Sequence, residues 1–89
     1  MKTEFRKSFI KDLQRQAKDK KLLGYVQKVI HEVEAAKDSL KINNLKKLKA
    51  EGSYYRIRIG NCRIGIIISD DTVIFIRVLN RREIYRYFP

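Results

Sequence analysis

The sequence contains little of what builds disulfides, metal sites and membrane anchors. Its single cysteine, Cys62, excludes an internal disulfide and a cysteine-rich metal site. The longest uncharged apolar run, residues 64–69, is far too short to cross a bilayer. The N-terminal end is charged from Lys2 onward and lacks the apolar segment of a signal peptide. We therefore expect a cytoplasmic protein with no membrane partner.

Familiar catalytic signatures are missing as well. There is no Walker-type phosphate loop and no G-x-S-x-G, H-E-x-x-H or EF-hand pattern. Chemistry must therefore come from arginine, lysine, tyrosine, a glutamate and the single histidine. His31 falls on the polar side of a predicted helix and Cys62 on the core-facing side of a predicted strand. We therefore expect His31 to be exposed on a helix and Cys62 to be a packing residue.

Lysine is absent from the last 36 residues, in which every basic side chain is an arginine. The first 53 residues, in contrast, hold all 12 lysines and only two arginines. Arginine alone offers a rigid planar fork that holds a phosphate with two hydrogen bonds. Because these arginines are interleaved with tyrosines on predicted strands, the segment indicates a phosphodiester-binding site. Its arginines are Arg56, Arg58, Arg63, Arg77, Arg81, Arg82 and Arg86.

The formal net charge is +11, which is high for 89 residues. Residues 1–50 contribute 14 basic and 6 acidic groups, and residues 51–89 contribute 7 and 4. The excess is therefore spread over the molecule, and it favours a polyanionic partner such as RNA, DNA, an anionic membrane or an acidic protein. Binding to such a partner should weaken as salt rises.

Hydrophobic spacing predicts helices followed by strands, an α+β arrangement small enough for one domain. Residues 2–6 are predicted as a short strand. Residues 8–18 form a helix with Ser8 as its N-cap, and residues 20–40 form a second one, antiparallel to the first. The apolar stripes of the two helices are Phe9, Ile10, Leu13 and Ala17, then Leu22, Leu23, Val26, Val29, Ile30, Val33, Ala36 and Leu40.

Gly60-Asn61 is a two-residue hairpin signal, with glycine first as a type II′ turn prefers. Because strand side chains alternate, the isoleucines around the turn share one face and the arginines share the other. Two arginines then stand directly opposite each other and repel, which an anion lying across them would relieve. The predicted pairs are Ile59 with Cys62, Arg58 with Arg63, Ile57 with Ile64, and Arg56 with Gly65.

Asp70-Asp71 marks a second turn, leading to a strand over residues 72–79. A two-residue loop and a three-residue loop place Arg77 on opposite faces, so its side is left open. Residues 66–68 and 73–76 are apolar on both faces, which predicts a sheet that is covered twice or that forms an interface. Residues 80–88 form a last helical turn or a structured tail.

The string YYRIRIGNCRIGIII, followed by a strand and then RVLNRREIYRYFP, resembles the RelE/ParE superfamily of bacterial and archaeal type II toxins. The tail is most similar to the RelE branch, the ribosome-dependent mRNA endonucleases. The resemblance covers essentially the whole chain. It implies one toxin domain over residues 1–89, with an N-terminal helical hairpin packed on a small antiparallel β-sheet and a short C-terminal helical tail.

Members of the RelE branch cleave mRNA in the ribosomal A site by attack of the 2′-hydroxyl on the adjacent phosphodiester, without a metal or cofactor. The family's basic pair before the hairpin falls on Arg56 and Arg58. Its phosphate-binding arginine falls on Arg63 and its C-terminal arginine on Arg81. The tail tyrosine falls on Tyr85, which would contact the ribose or stack on a base. The resemblance thus implies an endoribonuclease with these five catalytic residues.

A further set is expected to bind RNA around those five. Tyr54 and Tyr55 point to opposite faces of a strand, so one joins the core and the other the arginine surface. The lysines of the LKKLK segment form either a solvated basic face or a patch that tracks phosphates, and the sequence leaves both open. The set comprises Lys46, Lys47, Lys49, Tyr54, Arg82 and Arg86.

Asn80 departs from the family's pattern, because many relatives carry a histidine immediately before the tail arginine. Asparagine cannot shuttle a proton, and arginine stays protonated in proteins. The general base is then Tyr85 with its pKa lowered by neighbouring cations, or Glu83, or a ribosomal group.

Two other functions stay open. The ParE branch shares the fold and poisons DNA gyrase without cleaving RNA, and Asn80 makes a weakened, RNA-binding homologue the third candidate. The arginine set and the Tyr/Arg tail favour RelE. Either toxin interpretation implies a cognate antitoxin as partner, and the RelE interpretation adds the ribosome with its mRNA and rRNA.

Overall fold

The chain forms a short strand, two helices and then most of a sheet, and it ends in a one-turn helix. The structure is a computed structural model that describes residues 1–48 and 52–89. The predicted α+β class, with helices, a small sheet and a short C-terminal helix, is confirmed. The elements are β1 (Lys2–Phe5), α1 (Lys7–Arg15), α2 (Lys20–Ala35), a 3₁₀ turn (Ser39–Lys41), β2 (Leu45–Lys47), β3 (Tyr54–Ile59), β4 (Cys62–Ser69), β5 (Thr72–Asn80) and α3 (Ile84–Tyr87).

Helix α2 is shorter than predicted. It begins after Asp19, whose side chain accepts a hydrogen bond from the backbone N–H of Leu22 at 3.0 Å and so caps the first turn. It ends at Ala35, because Ala36 has extended backbone angles. The predicted stripe is buried from Leu22 to Ala36, with Leu23 and Ile30 half-buried, but Leu40 lies beyond the helix and is 90% exposed.

Helix α1 also differs from its prediction at both ends. Arg6, not Ser8, is the N-cap residue, and it makes no side-chain capping bond. Ser8 lies inside the helix, where its hydroxyl donates to the carbonyl oxygen of Ile76 on β5. The helix ends at Arg15, which leaves Ala17 exposed outside it. The N-cap assignment of Ser8 is therefore wrong, since a tertiary contact takes its hydroxyl.

The sheet has five strands in the order β1-β5-β4-β3-β2. Strands β3, β4 and β5 pair antiparallel, as predicted, and β2 adds a further antiparallel strand, whereas β1 joins the edge of β5 in parallel. A parallel pair needs a long connection, and here both helices and three strands separate β1 from β5. Strand β2 lies in the LKKLK segment, for which no strand was predicted.

The β3–β4 hairpin has the predicted register at all four predicted pairs. Gly60 adopts a φ of 57° while Asn61 keeps a negative φ, as a type II′ turn requires. The next turn has two residues, because Ser69 pairs with Thr72. A register shift after Gly65 places that glycine opposite Arg77. Because paired residues point to the same face, the side chain of Arg77 leaves the sheet on the same face as Gly65, which answers the question that the loop length left open.

Both faces of the sheet are covered, as the doubly apolar strands predict. One face packs against the helices and holds the main core, with the side chains of Ile57, Ile64, Ile66, Val73, Phe75 and Val78 buried there. The opposite face carries the arginines and receives α3, whose Ile84 and following Phe88 are buried together with Leu79. In the described residues, no helix is both long and apolar enough to span a membrane.

The contact of Phe88 with Gly65 yields a stability prediction. A Cβ at position 65 would lie 2.6 Å from the Phe88 ring, so Gly65→Ala forces the tail away from the sheet. We expect a loss of about 1–3 kcal/mol in the free energy of unfolding, measured by urea denaturation. Gly24→Ala is the matched control, because a Cβ on Gly24 in α2 meets nothing within 4 Å. That change should stabilise the protein by about 0.5–1 kcal/mol. Equal midpoints for the two variants would contradict the packing argument.

Candidate nucleic-acid interface

Three arginines share the sheet face opposite the helices, and we call Arg56, Arg58 and Arg63 the arginine face. Arg58 on β3 stands directly opposite Arg63 on β4, and Arg58 is exposed. Arg63 is half-buried, and its Nη1 donates to the carbonyl oxygens of Gly60 at 3.0 Å and Cys62 at 2.9 Å. These bonds hold one nitrogen of the guanidinium beside the turn. In the described residues, neither arginine is paired with a carboxylate.

Arg56 is held differently. Its Nη1 donates to the carbonyl oxygen of Asn44 at 2.9 Å, at the start of β2. Its Nε is buried and has no hydrogen-bond partner among the described residues. Arg56 lies opposite Gly65, the residue against which the Phe88 ring packs. The tail thus covers the sheet beside Arg56, which is half-buried like Arg63.

The turn before α3 brings Arg81 to the same end of the sheet. The backbone N–H of Arg81 donates to the carbonyl oxygen of Asn61 at 2.9 Å, next to the turn that joins β3 to β4. The side-chain oxygen of Asn80 accepts from the backbone N–H of Arg82 at 2.9 Å, and the backbone carbonyl oxygen of Asn80 accepts from the backbone N–H of Glu83. Asn80 therefore caps the turn that leads into α3.

Tyr85 lies on α3 and is 57% exposed, while Ile84 beside it is fully buried. Because Phe88 packs on Gly65 in the middle of the arginine face, α3 sits on that face. The structure thus brings Arg58, Arg63 and Arg81 to the β3–β4 turn, with Arg56 one row further along the strand and Tyr85 on α3.

The predicted RNA-binding residues divide between two faces. Lys46 pairs with Arg56 on the arginine face, and Lys47 pairs with Tyr55, so Lys47 points to the helix face. Tyr54 joins α3 through an edge-to-face contact with Phe88 at 5.7 Å, and Tyr55 packs against the main core. Arg82 and Arg86 are exposed in and after the turn. Lys49 lies outside the described residues.

Comparison with known proteins places the chain in a family. Residues 3–85 match the family of ParE toxins of type II toxin-antitoxin systems (parDE). The chain is 46% identical to Toxin RelE3 of Methanocaldococcus jannaschii over the full length of both. This chain belongs to the RelE/ParE superfamily of type II toxins. The family predicted from the hairpin and tail is therefore confirmed.

Two solved complexes resemble the toxin in structure. One is the RelB-RelE antitoxin-toxin complex from Methanococcus jannaschii, 39% identical with a TM-score of 0.65, covering 97% of this chain and 99% of that one. The other is the toxin-antitoxin complex RelBE2 from Mycobacterium tuberculosis, 26% identical with a TM-score of 0.61 and 90% of each chain covered. The protein is thus a RelE-like toxin of a type II toxin-antitoxin system.

A polar row on α1 of the toxin escaped the sequence interpretation. Ser8, Asp12 and Gln16 recur every fourth residue, so they share one helix face. All three bond the part of β5 that extends beyond β1: Ser8 donates to Ile76, Asp12 accepts from the N–H of Val78 at 3.0 Å, and Gln16 donates to the carbonyl oxygen of Val78 at 3.0 Å. The i, i+4, i+8 spacing is the signal that was available for this row.

Asp12 is the buried charged group of the toxin's described residues, with 1% of its surface exposed. Its carboxylate accepts two bonds from Arg77, from Nε at 2.8 Å and from Nη2 at 3.0 Å. The hydrogen bond with Asp12 raises the pKa of the Arg77 guanidinium above its ordinary value, against the opposing effect of burial. Arg77 is therefore held within the fold, unlike Arg58.

Cys62 packs at the edge of the main core, as predicted. Burial raises the pKa of its thiol, the negative charge of nearby Asp19 adds to the rise, and the positive charge of Arg63 opposes it. Because the folded state holds the thiol proton more tightly, this contribution to stability is present at lower pH and is lost as pH rises through the folded pKa. We expect alkylation by iodoacetamide at about pH 8.5 to be slower in the folded toxin than in denaturant. Equal rates would contradict this protection.

His31 is exposed on α2, as predicted, 3.7 Å from Glu34. Over residues 1–48 and 52–89, no three His, Cys, Asp or Glu side chains cluster closely enough to hold a metal ion.

Proposed function

We propose that this toxin is a ribosome-dependent endoribonuclease that cleaves mRNA in the A site through attack of the 2′-hydroxyl on the adjacent phosphodiester. The observation that carries the proposal is the Arg58–Arg63 pair, two like charges held opposite each other on one face of a hairpin. Such a pair costs folding free energy, and a phosphate between the two guanidinium groups offsets that cost.

The proposed chemistry needs positive charge where the phosphorane gains negative charge. Arg63 uses only Nη1 for its two bonds to the turn, so its Nε and Nη2 are available to bind a phosphate oxygen. Arg58 and Arg81 flank it from β3 and from the turn after β5. Arg56, one row along, contributes charge through a guanidinium that is already anchored to Asn44.

Only a few groups can accept the proton of the 2′-hydroxyl in this proposal. Asn80 caps the turn with its side-chain oxygen and has no titratable proton. The general base is Tyr85, Glu83 or a group of the ribosome, and the exposed ring of Tyr85 also stacks on a base or contacts the ribose. Arg82, Arg86, Tyr54 and Lys46 follow the RNA along the arginine face, and Lys47 contacts a more distant phosphate.

A cognate antitoxin is the proposed protein partner. The related toxin from Methanococcus jannaschii was solved as a complex with the antitoxin RelB. With a net charge of +11, this toxin is complementary to an acidic segment, which would neutralise the arginine face and displace RNA from it.

The experiment that tests the proposal uses purified toxin and ribosomes programmed with one defined mRNA, with the 3′ ends of the products mapped. Cleavage inside the A-site codon that requires the ribosome supports the proposal. Salt-sensitive ribosome binding without any product indicates instead an RNA-binding homologue in which Asn80 has replaced an essential proton donor.

DNA gyrase poisoning is the second candidate, because the matched family is that of ParE toxins. It predicts inhibited supercoiling by purified gyrase and no binding to ribosomes. Running the supercoiling assay with the same protein preparation separates the two targets, since only one of them should respond.

A further inference from the structure

Arg77 joins three elements that are distant in sequence. Its guanidinium binds the buried carboxylate of Asp12 on α1 through two hydrogen bonds, and its Cζ lies 5.2 Å from the centre of the Tyr87 ring on α3. The carboxylate is fixed further to β5, because the Asp12 Oδ2 that accepts from Arg77 Nε also accepts from the N–H of Val78. The guanidinium is therefore held in one orientation, with the Tyr87 ring packed against it as a cation–π contact.

The geometry of α3 links Tyr87 to Tyr85. A helix turns about 100° per residue, so Tyr85 lies about 100° to one side of the buried Ile84 and Tyr87 about 60° to the other. The two tyrosines thus flank the buried Ile84, and any rotation of α3 about its axis that moves Tyr87 off Arg77 also moves Tyr85. A contact at Tyr87 therefore sets where the Tyr85 ring points.

Helix α3 depends on tertiary contacts for this angle. It spans four residues, too few for a stable helix by itself, and its N-cap Glu83 makes no side-chain capping bond. Ile84 and Phe88, four residues apart and therefore on the same side, are buried against the sheet and set which side of α3 faces it. Tyr87 is 57% exposed, and its ring packs on Arg77, so this contact adds a second constraint on the flank of α3 away from Tyr85.

We propose that the Asp12–Arg77–Tyr87 cluster orients α3 so that Tyr85 faces the bound nucleotide, which makes Arg77 and Tyr87 positioning residues for the reaction. The inference rests on the proposed function only in naming what Tyr85 faces; the control of Tyr85 by the cluster is a property of the free toxin. Arg77 acts through Tyr87 and does not itself reach the RNA.

The first test measures the orientation of position 85 without any activity. The natural chain has no tryptophan, so Tyr85→Trp supplies a single fluorescent reporter on α3. Adding Tyr87→Leu should increase the fast component of its anisotropy decay, whereas adding Tyr87→Phe, which keeps the ring, should not. Tyr25→Leu is the matched control, because Tyr25 on α2 is similarly exposed at 53%. Equal decay for the Tyr87→Leu and Tyr87→Phe proteins would overturn the proposal.

The second test measures cleavage of programmed ribosomes by variants with the natural Tyr85. Tyr87→Leu should lower the rate at saturating toxin about 10- to 100-fold, with the half-saturating concentration unchanged. Tyr87→Phe should restore the rate, and Tyr25→Leu should cut like the natural toxin. A Tyr87→Leu protein that cuts normally overturns the positioning role. If even the natural toxin gives no product, the proposed function fails, while the anisotropy result still decides whether the cluster orients α3.

Discussion

Replacing Asp12 with alanine should lower the free energy of unfolding by about 3–5 kcal/mol. The change leaves the Arg77 guanidinium without its carboxylate in a largely buried position and removes the acceptor for the N–H of Val78. Small domains are stable by only about 5–15 kcal/mol, so this one change removes a large part of the total. Chemical denaturation followed by circular dichroism measures it.

The Asp12→Asn variant separates the effect of charge from that of shape, and Lys11→Ala is the matched control. Asp12→Asn keeps an oxygen for Val78 but not the charge for Arg77, and we expect a loss smaller than that of alanine. Lys11→Ala changes the adjacent exposed residue of α1 and should alter the stability by less than about 0.5 kcal/mol. If Asp12→Ala unfolds at the same denaturant concentration as Lys11→Ala, the buried pair is not a major source of stability.

Replacing Arg63 with alanine should reduce cleavage of A-site mRNA about 10²- to 10³-fold while the protein stays folded. A loss of this size is typical when one group that stabilises the charge of a transition state is removed. Arg63→Lys keeps the charge but loses the planar fork and the two bonds to the turn, so its rate should fall between those of alanine and the natural toxin. Single-turnover cleavage of programmed ribosomes gives the rates.

The control for Arg63→Ala must remove the same charge elsewhere. Lys37 follows α2 and is exposed. The backbone carbonyl oxygen of the neighbouring Ala36 accepts a hydrogen bond from the amino group of Met1, just before β1. Lys37 therefore lies close to the end of the sheet that is away from the β3–β4 turn. Lys37→Ala should therefore weaken ribosome binding slightly at low salt and leave the rate at saturation unchanged. An Arg63→Ala toxin that cuts as fast as the Lys37→Ala toxin would remove Arg63 from the catalytic set.

The two predictions depend on Arg77, the partner of Asp12, and on Arg63, and no sequence pattern distinguishes these two arginines. Arg63 and Arg77 both lie on predicted strands and belong to the same lysine-free segment. The structure gives Arg77 a buried carboxylate and leaves Arg63 bonded only to backbone carbonyls among the described residues. One is thereby used to hold the fold together and the other is available to an anion.

The sequence predicted the β3–β4 hairpin, its register and the arginine face correctly, because a two-residue turn and the alternation of strand side chains are local. It also predicted the stripe of α2 and the family. It misplaced the ends of both helices, where Ser8 bonds to β5 rather than capping α1.

The parallel pairing of β1 and the position of α3 on the arginine face are set by contacts between residues that are distant in sequence. The partner of Arg77 is set in the same way, since Asp12 is 65 positions away in the chain. Such contacts join residues whose separation carries no periodic signal. A charged pair of this kind becomes favourable only after packing has excluded water from it, and no local sequence pattern records that.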